Sequence, residues 1–261
     1  MFRIIVFIAL LILPLTAQAD DKVMARIAAK GEINCGVYTL GSIFSFDPAG
    51  KPQGFTVDLM TDIAARAGIH VKYTEVSSFA TLQEDMNGGK FDMICAPILL
   101  IPATAMKYLP SIYITADPIN IYADATTDLS AIKKLSDMND PKYTFVGMDN
   151  ELGGIYVPKL FPKAKLNLLA MGSMVPQMFM EVHTKKANFV VLSRLAANAY
   201  QQQNPGKLKQ VTNESLLYPS IRLLYPKDSP ALKANIDAFI EELQNDGTMD
   251  KLLQKHGLSA K

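Results

Sequence analysis

Apolar and polar positions along residues 32–96 alternate between two periodicities. Short apolar runs without helical spacing predict three strands, at Ile33 to Tyr38, at His70 to Val76 and at Phe91 to Ala96. Between them, apolar residues recur at helical spacing from Thr56 onward, and a second helical segment ends at Asn87. This order of strand, helix, strand, helix and strand predicts an α/β fold with a parallel sheet and right-handed crossovers.

The alternation begins again in the second half of the chain and predicts another unit of the same α/β type. The predicted elements are a helix at 128–138, strands at 143–148, 166–170 and 189–192, and helices at 154–160, 175–184 and 195–202. Two final helices are predicted at 230–244 and 249–256. The second unit has no strands left for them to cover, so we expect both helices to pack on the first.

Four apolar residues, Ile98 to Ile101, follow the predicted strand at Phe91 to Ala96, which we expect Pro97 to end. A strand end normally turns polar, whereas this segment stays apolar. Ligands bind beyond the carboxyl ends of the strands in open α/β sheets, so the segment is a candidate wall of a binding site. The alternative, that these residues complete the hydrophobic core, stays open at this point.

The N-terminus has the three parts of a secretory signal peptide. Arg3 supplies a basic start, Phe2 to Leu15 is almost wholly apolar, and Ala17 to Ala19 is a small-residue cleavage site. The apolar stretch is short and contains Pro14, which argues against the alternative of a membrane anchor. We therefore predict that residues 1–19 are removed on export and that the mature protein works in a periplasm.

Charge and cysteine content restrict the class of partner. The chain has 26 basic and 25 acidic side chains, and Arg3 of the predicted leader accounts for the excess. A mature chain without net charge has no electrostatic basis for binding nucleic acid or an anionic membrane. Cys35 and Cys95 are the only cysteines and fall on predicted neighbouring strands. An exported protein permits a disulfide between them, and two buried thiols remain the alternative.

Three motifs occur in a characteristic order along the chain: GKPQGFTVDL at 50–59, NGGKFD at 87–92 and NDGTMDKLLQKHG at 245–257. Together they resemble the bacterial extracellular solute-binding proteins of family 3, the periplasmic receptors for polar amino acids. The resemblance implies a type II periplasmic binding protein fold with two α/β lobes around a cleft. It implies hinge strands near Tyr113 to Pro118 and Pro219 to Arg222, lobe closure on a small ligand, and docking on an ABC-type membrane permease.

The resemblance also implies a division of the chain and its state of assembly. We expect the first lobe to contain residues 20–114 and 223–261, and the second lobe, with the hinge strands, to contain residues 115–222. A monomer is expected. Asp58 and Asp92 fall in the family motifs, where carboxylates cap backbone N–H groups, so neither is assigned to catalysis. The three histidines have no metal-ligand spacing, so neither a metal site nor a cofactor is predicted.

The chain departs from its relatives where amino-acid-binding members hold their ligand. Those members present threonines and then an arginine to the ligand carboxylate, whereas Leu99, Ile101 and Thr104 occupy the corresponding positions here. They also offer an aspartate to the ligand ammonium, and Ser193 stands at that position. A loop that usually receives an anion reads Met148 to Glu151 and is acidic. We therefore predict a neutral or cationic ligand that is not a standard α-amino acid.

Some features of the family cleft remain and some have candidate substitutes. Phe44 and Phe79 match its aromatic platform, while Gly41 stands where a tyrosine is common. Arg194 and Arg222 are candidates to replace the missing arginine, although an exposed or hinge role is favoured for both. The predicted cleft residues are Tyr38, Phe44, Phe79, Pro97, Leu99, Thr104, Asp149, Asn150, Glu151, Leu192 and Ser193.

Two other functions are compatible with the same fold. Periplasmic dehydratases resemble this family, and Glu151 is the one candidate general acid or base in the predicted cleft. No Ser/His/Asp or metal constellation accompanies it, so we predict a binding protein and not an enzyme. The second alternative is an accessory or sensor protein that has kept the fold without transport.

Overall fold

The computed structural model describes residues 22–78, 81–149, 151–170 and 175–258, so the predicted signal peptide lies outside the described residues. The elements of the first part are α1 (Lys22–Lys30), β1 (Glu32–Val37), β2 (Ser45–Phe46), β3 (Pro52–Gln53), α2 (Phe55–Ala67), β4 (His70–Glu75), α3 (Leu82–Asn87), β5 (Met93–Leu99), α4 (Pro102–Lys107), β6 (Leu109–Pro110) and β7 (Thr115–Ala116). They are followed by β8 (Ile119–Asp124), β9 (Thr144–Met148), α5 (Leu152–Leu160), β10 (Lys165–Leu169), α6 (Val175–His183), β11 (Phe189–Ser193), α7 (Arg194–Gln203), β12 (Leu208–Gln210), β13 (Ser220–Tyr225), α8 (Pro230–Asn245) and α9 (Thr248–Lys255). Among these residues, no helix has the length and apolar character needed to cross a membrane.

The first sheet has the strand order β4-β1-β5-β13-β6, with β7 paired to β13. Strand β1 runs parallel to β4 and β5, as predicted, whereas β13 returns antiparallel to β5. Residues of β1, β5 and α2 share one buried cluster with Leu232 to Leu243 of α8 and Met249 to Leu253 of α9. The prediction that the last two helices pack on the first unit is therefore confirmed. We call this part of the molecule the first lobe.

A disulfide joins Cys35 of β1 to Cys95 of β5. The two strands pair in parallel with Cys35 opposite Met93, and the Cα atoms of the two cysteines are 5.3 Å apart. Both side chains are fully buried. The bond ties together the two central strands whose carboxyl ends lead toward the second sheet.

The second sheet has the strand order β10-β9-β11-β8-β12. Strands β10, β9 and β11 are parallel, β8 is antiparallel to β11, and β12 is antiparallel to β8, so this sheet is mixed. One face packs on a cluster around Ile119, Phe145 and Phe189, and the other on a cluster around Val146 and Phe179. Coverage on both faces explains why β9 and β11 are continuous apolar runs. We call this part the second lobe.

Two segments connect the lobes, and they pair with each other. Strand β7 is antiparallel to β13, with Ser220 opposite Ala116, and the Asp117 N–H donates to the Pro219 carbonyl at 3.1 Å. The chain leaves the first sheet on β7 and returns to it on β13. This path agrees with the expected hinge segments, and the boundaries at residues 114/115 and 222/223 remain a prediction.

The helix predicted at 128–138 is wrong, because only a 3₁₀ turn forms, at Leu135–Met138. Aspartate side chains hold the backbone in turns there: Asp128 accepts from the Ser130 N–H, and Asp137 accepts from those of Lys133 and Lys134. These local bonds compete with helical ones. Strand β12 at 208–210 was not predicted, because it is short and flanked by polar residues.

Strand β5 continues through Pro97 to Leu99, so the predicted break at Pro97 is wrong. Proline is tolerated because β1 last pairs with β5 at Ile94, and the ladder to β13 is irregular between Arg222 and Leu224. After the proline, Ile98 packs on a first-lobe cluster and Leu99 on the second-lobe core. These two residues therefore complete the packing between the lobes.

Candidate functional site: the cleft between the lobes

The two lobes touch at the ends of β1, β5 and β11. Leu195, at the start of α7, packs against the first-lobe core, and Leu99 packs against the second-lobe core. A Cβ atom added to Gly41 in the first lobe would lie 3.1 Å from the Cβ of Ala199 in the second. The φ angle of Gly41 is +45°, which further disfavours a side chain there. The absence of the family's tyrosine at this position thus permits a close approach of the lobes.

A buried carboxylate, that of Asp117, lies at this junction. Asp117 follows β7 in the first connecting segment and is 2% exposed. Its side chain accepts hydrogen bonds from the Ser193 hydroxyl and from the Leu195 N–H, the latter at 3.3 Å. The Ser193 Oγ also accepts from the Ala196 N–H at 3.1 Å and so caps α7. Asp117 is thereby fixed against the end of β11 and the start of α7.

The electrostatics of this corner follow from burial. Desolvation raises the pKa of Asp117 to about 6, although the bonds from Ser193 and Leu195 and the charge of Arg194 act in the opposite direction. Burial, together with the nearby charge of Asp117, holds the pKa of Tyr38 well above its ordinary value. The Tyr38 hydroxyl therefore stays protonated and donates to the Pro97 carbonyl at 2.7 Å.

A second buried polar group, Asn120 of β8, lies on the opposite face of the sheet from Ser193, because Ser193 pairs with Ile119 and Leu192 pairs with Asn120. The Asn120 amide nitrogen donates to the Tyr122 hydroxyl at 3.3 Å and to Gln210 at 3.4 Å. The Asn120 Oδ1 atom is buried and has no hydrogen-bond partner among the residues that the structure describes. Burial raises the pKa of Tyr122, and the charge of Asp117 acts in the same direction, which places Tyr122 within electrostatic reach of Asp117.

The loop between β9 and α5 adds acidic groups to the second lobe. Asp149 is exposed, and its N–H donates to the Leu169 carbonyl at 3.0 Å. Glu151 precedes the first residue of α5 and is exposed, yet desolvation by neighbouring atoms raises the pKa of its carboxyl. A Cβ on Gly154 would lie 2.3 Å from the Met148 carbonyl oxygen, so only glycine lets α5 approach β9 this closely.

The predicted cleft residues divide into several groups. Tyr38, Pro97, Leu99 and Ser193 meet near the junction, while Thr104 is half-buried on α4. Phe79 and Asn150 lie outside the described residues.

Phe44 and Leu192, both predicted to be cleft walls, are buried in hydrophobic clusters. Phe44 is fully buried in the first-lobe core, with ring centroids 5.2 Å from Phe46 and 5.5 Å from Tyr73. A backbone bridge between Leu40 and Phe44 folds the loop so that Phe44 points inward. Leu192 is buried in a second-lobe cluster. An apolar residue beside a cleft has a core to fill, and this requirement prevails at both positions.

Arg222 has the hinge role that was favoured for it. Its Nη1 donates to the Ser111 carbonyl at 2.7 Å, its Nε donates to the Ser220 Oγ at 3.0 Å, and it lies over the Tyr113 ring. These contacts commit Arg222 to the connecting segments. Arg194 instead lies beside Asp117, whose charged form it stabilises.

The framework carboxylates have structural partners, as expected, but the partners differ from those predicted in one case. Asp92 forms an ion pair with Arg26 and accepts from the Asn34 N–H at 2.7 Å. Asp58 does not cap a backbone group. It accepts instead from Lys255 at 2.7 Å and lies 2.6 Å from a ring nitrogen of His256, which fastens α9 to α2.

Asp117 is the site residue that the sequence reasoning missed. In the sequence it appeared only as an interruption of an extended segment before Pro118. The available signal was a single carboxylate within an otherwise apolar stretch at residues 112–122, because a charge in such a stretch requires partners when it is buried. Its partners lie more than seventy positions away in the chain, and only the fold brings them together.

Comparison with known proteins places the chain in a family. The family model of the bacterial extracellular solute-binding proteins, family 3, matches residues 33–259. The chain belongs to this family. The amino-acid-binding protein AabA of Dichelobacter nodosus is 27% identical over 216 residues, which cover 80% of this chain and 81% of AabA. The fold prediction and the resemblance stated above are thus confirmed at the level of the family.

Solved structures share the fold. A mutant of ArgBP from T. maritima superposes with a TM-score of 0.71 at 22% identity and covers 89% of this chain and 98% of its own. Tv2483 bound to L-arginine gives a TM-score of 0.74 at 15% identity, with 92% and 96% covered. The ancestral amino acid-binding protein AncCDT-1, a precursor of cyclohexadienyl dehydratase, gives 0.72 at 19% identity, with 90% and 98% covered. The type II periplasmic binding protein fold is therefore shown.

Proposed function

We propose that this family member captures a small neutral or cationic molecule by closure of its two lobes, and that an ABC-type permease receives the ligand. The observation that carries the proposal is the charge of the cleft. Asp117 is buried at the junction, and Asp149 and Glu151 lie on the second lobe, whereas Leu99 and Thr104 occupy the positions of the usual carboxylate clamp.

The energetics of a carboxylate in such a cleft argue against a standard α-amino acid. A buried carboxylate needs charge-assisted donors in place of water, and an unpaired one costs several kcal/mol, on the order of a thousandfold in affinity. Leu99 packs on the second-lobe core, and Arg222 is bonded within the connecting segments. Neither supplies the missing donor.

Closure is supported by the way in which the lobes are joined. Within the part of the chain that the structure describes, only the paired segments around β7 and β13 run between the two sheets. Small backbone rotations in two short strands are sufficient for a hinge motion. A ligand that contacts both lobes favours the closed form by its differential affinity, and the close approach of Gly41 and Ala199 belongs to that form.

The test combines calorimetry with solution scattering. We expect at least one amine or quaternary ammonium compound to bind with micromolar or tighter affinity, to raise the melting temperature and to reduce the radius of gyration. Binding without compaction would contradict the closure mechanism. Micromolar binding of a standard amino acid would contradict the ligand class, and Arg194 would then be the residue to examine as its clamp.

Export and delivery need tests of their own. We propose that residues 1–19 are cleaved and that a monomer is released into the periplasm. Intact mass measurement of protein recovered from the periplasm should give a chain that begins at Asp20. Native mass spectrometry of the same sample should show a monomer with a co-purified small molecule. Depletion of the cognate permease should abolish uptake of that molecule.

A second candidate function is catalysis at Glu151. The observation that favours it is the raised pKa of this carboxyl, caused by burial, since a general acid must be protonated near its working pH. In that case the co-purified molecule would be converted on prolonged incubation, and Glu151→Gln would stop its conversion while retaining its binding. Recovery of an unchanged ligand would leave binding as the function.

A further inference from the structure

Asp117 reaches a corner of the cleft that its position in the sequence does not suggest. It belongs to a connecting segment, whereas Ser193 ends β11 on the second lobe. The hydrogen bond from the Ser193 hydroxyl nevertheless holds the Asp117 carboxylate at the end of β11. Ser193 stands where family members have an aspartate, and the carboxylate of Asp117 lies beside it.

The groups bonded to this carboxylate are hydrogen-bond donors, namely the Ser193 hydroxyl and the backbone N–H groups of Arg194 and Leu195. An ionised carboxylate has about four lone-pair sites, so these donors leave Asp117 able to accept a further N–H group. The Pro97 carbonyl, on the first-lobe side, accepts from Tyr38 and has a second lone pair. A ligand cation that carries N–H groups complements the remaining lone pairs of the Asp117 carboxylate.

We propose that Asp117 binds the cationic group of the ligand, so that the charge is recognised from the connecting segment and not from the end of β11. This inference rests on the proposed function and names the residue that selects the ligand class. The physical reason is desolvation. A carboxylate buried to this degree is stabilised by a cation brought against it, and lobe closure removes the remaining water.

Arg194 is the neighbour that competes with the ligand for this carboxylate. It lies at the start of α7, and its charge favours the ionised form of Asp117. A ligand cation therefore gains less than it would at a wholly unpaired carboxylate. For this reason we expect the loss of binding affinity on removal of the Asp117 charge to stay within the ordinary range for a buried charge pair.

The experiment uses the full mature chain with agmatine, putrescine and choline as probes, measured by calorimetry. For the tightest-binding probe, Asp117→Asn should weaken binding by about 30-fold to 1000-fold, as expected when one partner of a buried charge pair is removed. Asp250→Asn is the matched control, because it makes the same change in charge at an exposed position of α9 and should leave affinity unchanged.

A double variant separates ligand binding from a purely structural role of Asp117. Asp117→Asn combined with Ser193→Asp returns a carboxylate to the same corner from the end of β11, and aspartate also caps a helix well. We expect the double variant to recover most of the lost affinity. A folded double variant without recovery would assign Asp117 to the structure of the hinge and overturn the inference.

The remaining outcomes are also decisive. Unchanged binding in Asp117→Asn would overturn this inference and leave the proposed function standing. Failure of every cationic probe to bind the wild-type protein would overturn the cationic ligand class, and this inference with it. If lobe compaction occurred only with a neutral ligand, the proposed function would survive and the assignment of Asp117 would not.

Discussion

The two walls of the cleft are built on similar α/β scaffolds but differ in chemistry. The first-lobe wall is apolar, with Tyr38, Pro97 and Leu99, and its strands are cross-linked beneath the surface by a disulfide. The wall formed by the connecting segment and the second lobe carries Asp117 and Glu151. Under the proposed function, one wall covers the apolar body of the ligand and the other binds its charge.

The proposed function attributes the selectivity of the second wall to the burial of the Asp117 carboxylate. An exposed acid attracts any cation weakly, because water and salt screen the interaction. Asp117 is held by Ser193 and Leu195 in a dry corner, where only a cation that fits can replace the lost hydration. The first wall holds Tyr38, directly after β1, and Pro97, within β5, on two strands that the disulfide joins.

The largest expected effect comes from removing the disulfide beneath the first-lobe wall. Replacing both Cys35 and Cys95 by alanine should lower the free energy of unfolding by about 2–5 kcal/mol, because the bond closes a long loop in the unfolded chain. Urea denaturation of the ligand-free protein is the measurement. Loss of less than about 1 kcal/mol would show that the bond adds little to the sheet.

A smaller effect is expected from holding the walls apart. Ala199→Phe places a ring where Gly41 approaches, and overpacking of about 1–3 kcal/mol in the closed form should weaken ligand binding about 5-fold to 150-fold. Scattering should show incomplete compaction at saturating ligand. Asn198→Phe, at the exposed neighbouring position, is the control and should close normally.

Protonation of the Asp117 carboxylate should weaken binding of a cationic probe about tenfold between pH 7 and pH 5. The pKa of Asp117 is raised to about 6 by burial, so affinity for a cation is present above this value and falls as the pH drops through it. Tyr38 and Tyr122 also face this carboxylate, and their raised pKa values keep both hydroxyls uncharged in this range. Arg194 adds a positive charge beside it. Calorimetry of Asp117→Asn should lack this pH dependence.

The smallest effect is a gain of function on the first wall. Thr104→Arg restores an arginine at the clamp position and should improve affinity for L-arginine about fivefold relative to agmatine, since one exposed ion pair contributes about 1 kcal/mol. Thr104→Gln, which lacks the charge, should give no such change. An equal improvement in the Thr104→Arg and Thr104→Gln variants would indicate that packing, and not charge, causes the gain.

The sequence was sufficient to predict those helices and strands whose apolar pattern follows from which of their own residues are buried. The strand at Ile33 and the helix after Thr56 follow from periodicity, and the neighbouring positions of Cys35 and Cys95 follow from the order of the elements. Prediction failed where backbone pairings that the apolar pattern does not reveal decide the outcome. Pro97 stays in a strand because the ladder beside it is irregular, and Phe44 turns inward because of a local bridge.

Asp117 illustrates the limit most clearly. Nothing within several residues of it in the sequence supplies a hydrogen bond to its side chain, and its partners come from β11 and α7. Local patterns contain no information on such pairings. The turn-forming aspartates at 128 and 137 are the converse case, because their bonds are local and a reading of capping chemistry would have found them.

The central claim, that the cleft recognises a cation without gripping a carboxylate, is tested most directly by calorimetry with matched pairs of amino acid and decarboxylated amine. The pairs are L-arginine with agmatine, L-lysine with cadaverine and L-histidine with histamine. We predict that in every pair that binds, the amine binds at least as tightly as the amino acid. An amino acid that binds about tenfold or more tightly than its amine, a difference of about 1.4 kcal/mol, would contradict the account.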